Sequence, residues 1–191
     1  MLEYELALYC APALAGIKPS NLFSYAADDA VKVKNEISRL NSLLNGSDIY
    51  LKVLCEQKNR LLILVYRRSK LTAYLGRADI AAFLRSYGYG RGLDAKLKRL
   101  GERIAPGDFP HEIGAFLGYP IDDIYGFIYH KNEGCKYTGY WKVYKNVEEA
   151  KKTFRRYDSC RNAVVKRIDM GKSLTDLFMG GPRKASGAQC R

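Results

Sequence analysis

The chain has no apolar run approaching the ~20 residues that a helix needs to cross a bilayer, so no membrane span is expected. Its amino terminus, MLEYELALYCAPALAG, lacks a basic leader and carries Glu3 and Glu5, which makes it a poor secretory signal. CxxC pairs are missing as well. The five cysteines, Cys10, Cys55, Cys135, Cys160 and Cys190, are an odd number. That combination excludes a closed disulfide framework and the usual zinc spacings. Free thiols in a cytoplasmic protein are the expectation. Histidine is scarce: His111 and His130 are all there is. The segment HEIGA has Ala115 where HExxH needs its second histidine, so no metal site is assigned.

Phosphate-loop signatures fail on inspection. GYGRG at 88–92 follows a helical pattern rather than a strand, and Gly171-Lys172-Ser173 has Lys166 where a P-loop needs glycine. Among nucleic-acid motifs, no RNP, KH or helix-turn-helix signature is present. What the sequence does have is charge, unevenly placed. Residues 60–105 hold 11 basic and 3 acidic groups, and residues 131–191 hold 15 and 6. Between them, residues 106–130 hold 4 acids and no Lys or Arg. The net charge of +12 implies affinity for an anionic ligand, an acidic protein or nucleic acid, set against a surface kept basic for solubility. Aromatic residues make up 12% of the chain, and a packed core is expected.

Element signals are readable over most of the length. Residues 2–10 read as a helix ending near Pro12, and 13–24 as a loop or short extended piece punctuated by Gly16 and Pro19. Val33, Ile37, Leu40 and Leu44 give a helix its buried stripe, closed by Gly46. Residues 49–55 and 61–66 are β-rich runs around a polar turn and form the clearest hairpin. Short helices are expected at 69–75, 79–87, 93–104 and 110–117. Residues 122–129 fit helix or strand. YTGYWKVY, at 137–144, should be a strand. A long helix follows Asn146, with Phe154, Tyr157 and Val164 on one side and Lys151, Lys152, Arg155 and Arg156 on the other. From Gly180 a disordered tail is expected.

Candidate chemistry concentrates in two places. His111 and Glu112 sit at a predicted helix start, where the positive helix end favours neutral imidazole. The bland alternative is a helix-stabilising acid beside a polar residue. Cys10 precedes a loop carrying Lys18, which suits a lowered thiol pKa and a Cys10–His111 pair, although a structural cysteine is the commoner outcome. Asp122 and Asp123 fit either an acid–base or metal-binding role with Glu112, or simple capping of the next helix; capping is preferred.

Three segments together carry a resemblance: CAPALAGIKPSNLFS (10–24), FPHEIGAFLGYPIDDIYGFI (109–128) and GYWKVYKNVEEAKKTFRRYDSC (139–160). They resemble an uncharacterised domain family of anaerobic Gram-positive bacteria, of unknown function. The resemblance extends to about Phe178. It marks Cys10, Lys18, Asn21, His111, Glu112, Gly118, Tyr119, Pro120, Asp123 and Trp141 as signature positions. Members of that family occur near flavodoxin and iron-uptake genes, which implies an iron- or redox-linked role.

The expectation is therefore one α+β domain over 1–179, with a small antiparallel sheet made of the 49–66 hairpin and the 137–144 strand and covered by several helices. Its function is read as small-ligand binding or catalysis between the 10–21 loop and the 109–123 segment. Catalytic candidates are Cys10, His111 and Glu112; binding candidates are Lys18, Asn21, Tyr119, Asp123 and Trp141. No cofactor is assigned. Two alternatives stand beside this: an accessory protein docking an acidic redox partner such as flavodoxin, and a nucleic-acid-binding module using the basic helices.

Overall fold

The structure, a computed structural model, describes residues 2–104 and 109–179. The tail expected from Gly180 lies outside them. The element order is α1 (Leu2–Leu14), β1 (Ser20–Ala26), α2 (Ala30–Leu44), β2 (Ile49–Gln57), β3 (Arg60–Arg67), α3 (Arg68–Leu75), α4 (Ala78–Ser86), α5 (Leu93–Ile104), α6 (Ile113–Phe116), α7 (Ile121–His130), β4 (Tyr137–Thr138), β5 (Lys142–Val143), α8 (Val147–Asp169) and α9 (Leu174–Phe178). The class is α+β: helices around an antiparallel sheet of order β1-β3-β2.

The sheet is organised by β3. Its run Leu61–Tyr66 is buried throughout, as expected of a central strand covered on both faces. Alternation then divides the core in two. Leu61, Ile63 and Val65 pack with α1, α2 and the far end of α8. Leu62, Leu64 and Tyr66 pack with α3, α4, α5 and α6. A third cluster, Trp141, Val143, Ala150, Phe154 and Tyr157, joins the 140s to α8.

The third strand of the sheet is not 137–144. It is β1, at 20–26, which pairs antiparallel with β3 from Ser20↔Tyr66 to Ala26↔Arg60. Residues 137–144 instead fold on themselves, Tyr137 opposite Val143 and Thr138 opposite Lys142. Gly139 makes that tight return possible. Its N–H donates to the Trp141 carbonyl at 3.1 Å, and a Cβ there would stand 2.3 Å from the Phe154 ring. Helix α1 runs past Pro12 to Leu14. Its last carbonyls are taken by the Arg67 guanidinium, which donates to the oxygens of Leu14 and Ala13 and, at 2.5 Å, to that of Ser47. A cation at a helix carboxyl end is favoured by the helix dipole as well as by the unpaired carbonyls.

Candidate functional site

Residues 121–130, ambiguous in the sequence, form helix α7. Asp123 and Phe127 are four apart and Ile124 and Phe127 three, so all three share one face. That face meets His111, Ile113 and Gly114 from the turn before, Tyr119, and Trp141 and Lys142 from the β4–β5 turn. Together they enclose a cavity of about 290 Å³. Its walls are mostly aromatic and aliphatic. Four sequence candidates line it: His111, Tyr119, Asp123 and Trp141.

Asp123 is buried and fully used. One oxygen accepts from the Trp141 indole N–H at 2.8 Å; the other accepts the backbone N–H groups of Tyr144 and Lys145, at 2.8 and 3.1 Å. The carboxylate thereby fixes Trp141 as a wall, with each of its oxygens engaged as an acceptor. Asp122 is exposed and pairs with Lys145 at 3.0 Å. Neither acid caps α7, whose N-cap is Pro120 without a side-chain bond. The preference for capping is corrected by the donors waiting at 141–145. Tyr144 reaches α7 only because residue 126 is glycine, where a Cβ would lie 2.3 Å from the tyrosine ring.

Phe127 contacts two nitrogen-bearing side chains of the lining. The exposed His111 ring meets it edge-on at 5.3 Å. The Lys142 ammonium lies 5.4 Å over the same ring and is held by Asn132 Oδ1. Tyr119 packs on Trp141 at 5.0 Å and donates from its hydroxyl to the Tyr140 carbonyl.

Glu112 points away from its neighbour His111. Its side chain is buried, and Oε1 takes both the Arg103 guanidinium and the Tyr89 hydroxyl, while Oε2 has no hydrogen-bond partner. Burial and the adjacent Glu112 charge push the Tyr89 hydroxyl far above its ordinary pKa. This pair ties the end of α5 to the start of α6.

The 10–21 segment does touch the 109–123 segment. Ser20 Oγ donates to the Phe116 carbonyl at 2.6 Å. Gly118, at φ +73°, lies against Pro19, where a Cβ would come within 2.4 Å of the proline ring. Lys18 is 3% exposed, with its ammonium 5.4 Å over the Tyr119 ring and 5.8 Å over that of Tyr157. Among the described residues it has no acid partner and no hydrogen-bond acceptor. Burial lowers its pKa to about 8.

Cys10 lies fully buried in the α1 core, and desolvation raises its thiol well above the ordinary value, with Lys18 pulling weakly the other way. That is opposite to the direction an activated thiolate requires. Among the described residues no hydrogen bond or ring contact joins Cys10 to His111. Asn21 accepts the Ala13 N–H at 3.1 Å and fastens the end of α1 to β1. No group of three or more His, Cys, Asp or Glu side chains among the described residues is placed to hold a metal ion.

Phe109, Ile124, Phe127 and Lys142 were missed as lining residues. Reading 121–130 as a helix supplies two of them through the spacing from Asp123. Lys142 and Phe109 had no signal of their own.

Fold and cavity define an α+β protein whose helices and a short hairpin wall off an aromatic-lined chamber beside a three-stranded sheet. Residues 6–178 match the family described as Protein of unknown function (DUF3793), and the chain belongs to that family. No curated protein and no solved structure matches it. No helix among the described residues is long and apolar enough to cross a membrane.

Proposed function

We propose that the protein binds a small, flat, largely apolar ligand bearing an acidic group, in the chamber between α6, α7 and the Trp141 turn. The observation that carries this is the lining: Ile113, Tyr119, Ile124, Phe127 and Trp141 supply apolar walls, while the lining also includes the nitrogen-bearing His111 and Lys142. Apolar walls with a few placed polar groups are the usual make-up of small-molecule sites, and about 290 Å³ falls at the small end of their range. Walls without packing partners forgo dispersion contacts that a ligand restores.

Binding is favoured over catalysis by the fate of Cys10 and Glu112, two of the three catalytic candidates, while the third, His111, lines the chamber. The Cys10 thiol is held protonated in the core, Glu112 turns toward α5, and both Asp123 oxygens are occupied. The free thiols Cys10, Cys55, Cys135 and Cys160 support a cytoplasmic setting.

Trp141 is the only tryptophan, so its emission reports on the chamber directly. The test is a titration with trans-cinnamate, a planar aromatic acid, and with cinnamyl alcohol, its neutral counterpart. Cinnamate should quench Trp141 saturably and bind more tightly than the alcohol. Lys142→Met should remove that preference, and Ile113→Phe, which fills the chamber, should abolish binding of both. Emission and calorimetric heat that stay linear with either probe would sink the proposal.

A further inference from the structure

Helix α8 buries Phe154 and Tyr157 and turns Lys152, Arg155, Arg156 and Ser159 to solvent. With Ile17 and Cys160 these four line an open groove of about 480 Å³ between α8 and the loop after α1. Lys152, Arg155 and Arg156 have no acid partner among the described residues. Of the acids on the same helix, Glu148 pairs with Lys151, Asp158 pairs with Arg161, and Asp169 lies at the far end. Glu149 lines a separate cavity beside Lys145 and Thr153. Behind the groove, next to Ile17 in the chain and against the Tyr157 ring, lies Lys18, also without an acid. Uncompensated cations gathered around one concavity raise the local concentration of anions.

The spacing says which anion. Positions 152, 155, 156 and 159 fall on one helical face, and at about 1.5 Å rise per residue they span about 10 Å along the axis. Linked phosphates of a di- or triphosphate fit that length, whereas a nucleic-acid backbone needs a longer track. Two guanidinium forks and a hydroxyl donor suit phosphate oxygens. We infer that the α8 groove binds a compact polyphosphate, with Lys152, Arg155, Arg156 and Ser159 holding its oxygens. This site is separate from the aromatic chamber and stands or falls independently of it.

The experiment is calorimetric titration of the full chain with inorganic tripolyphosphate at near-physiological salt. It compares the wild type with K152S/R155S/R156S and with R91S/K98S/R99S, which removes the same charge from another basic face. All six positions are exposed, and thermal melts verify that both variants fold. Binding should be saturable and one-to-one. It should weaken at least about tenfold in the groove variant and within about twofold in the control, since charge-assisted contacts carry that much each. Equal weakening in both variants, or no saturable binding by the wild type, overturns the inference. So does a single-stranded oligonucleotide whose affinity for the groove grows with length and displaces tripolyphosphate, since that marks an extended nucleic-acid track.

Discussion

Replacing Lys18 with methionine should make the protein more stable at neutral pH. An unpaired ammonium in the interior has lost its water without gaining a carboxylate, and its pKa falls from 10.5 to about 8. Between those two values the unfolded chain binds a proton that the folded chain does not. Stability from this group therefore rises with pH from about 8 to 10.5 and is at its lowest below 8. At pH 7 the charge costs up to about 3 kcal/mol, taking about 1.4 kcal/mol per tenfold. The Tyr119 and Tyr157 faces offset part of that, at about 0.5–1 kcal/mol each. Lys18→Met should gain about 1–2 kcal/mol at pH 7, because methionine fills the same space without the charge. The groups facing Lys18 titrate too. The Cys10 thiol is raised by burial, so its contribution is lost as pH climbs past the ordinary thiol range near 8.5. Tyr119 is pushed up to about 12 and Tyr157 is raised, so both begin to act only above pH 10. In the wild type the Lys18 and Cys10 slopes oppose each other between pH 8.5 and 10. Lys18→Met should remove the Lys18 rise and leave the decline from Cys10 and the other raised thiols, Cys55 and Cys160, while Cys10→Ala should make the net slope more positive than in the wild type. Urea unfolding followed by circular dichroism at pH 7, 8, 9 and 10 measures both. A Lys18→Met protein less stable than wild type at pH 7, with an unchanged pH profile, would refute the reasoning.

Asp123→Ala leaves an indole N–H and two backbone N–H groups without their acceptor, and should cost about 3–5 kcal/mol by urea unfolding, with Trp141 emission shifted to the red; a loss under about 1 kcal/mol contradicts the anchoring role. Gly126→Ala sets a helix-propensity gain of about 1 kcal/mol against a Cβ placed within the Tyr144 ring's volume, and the clash should win by about 1–2 kcal/mol. A stabilised Gly126→Ala protein shows that α7 does not lean on Tyr144. Arg67→Met frees the carbonyls at the end of α1 and should cost about 1–3 kcal/mol, with faster amide exchange confined at first to the last turn of α1.

The parts of the fold that could be read from the sequence are those whose pattern is local. The 49–66 hairpin shows itself through a β-rich run on each side of a short polar turn, and α2 through its stripe of Val33, Ile37, Leu40 and Leu44. β1 was only half visible, because Gly16, Pro19, Ser20 and Asn21 punctuate a stretch that reads as loop or short extended piece. What makes 20–26 a strand is the exposed edge of β3, whose two-sided burial demands a partner. The aromatic 137–144 stretch has real β character but not enough length to join that sheet once Gly139 turns it back. At the site, the segment boundaries were legible and the directions were not. His111 and Glu112 are adjacent in the chain, yet one is exposed and lines the chamber while the other is buried against the half-buried Arg103, a divergence that composition does not encode. Lys18 looked like an anion holder on a loop, and nothing local shows that two tyrosine rings enclose it.

The window without lysine or arginine acquires a physical meaning from where its acids go. Each described acid in it is met by a donor from outside it: Glu112 by Arg103 and Tyr89, Asp122 by Lys145, Asp123 by Trp141, Tyr144 and Lys145. A basic side chain within 109–130 would compete for those carboxylates locally and loosen their hold on the flanks. The charge asymmetry thus works as a folding device, drawing the end of α5 and the 141–145 turn onto α6 and α7 and closing the chamber between them. Once these acids are spent, part of the basic charge left without an acid partner gathers on the outer face of α8, at Lys152, Arg155 and Arg156, and in Lys18. That cluster is the charge to which the proposed polyphosphate site answers, whereas the acids of 109–130 are spent inside the fold.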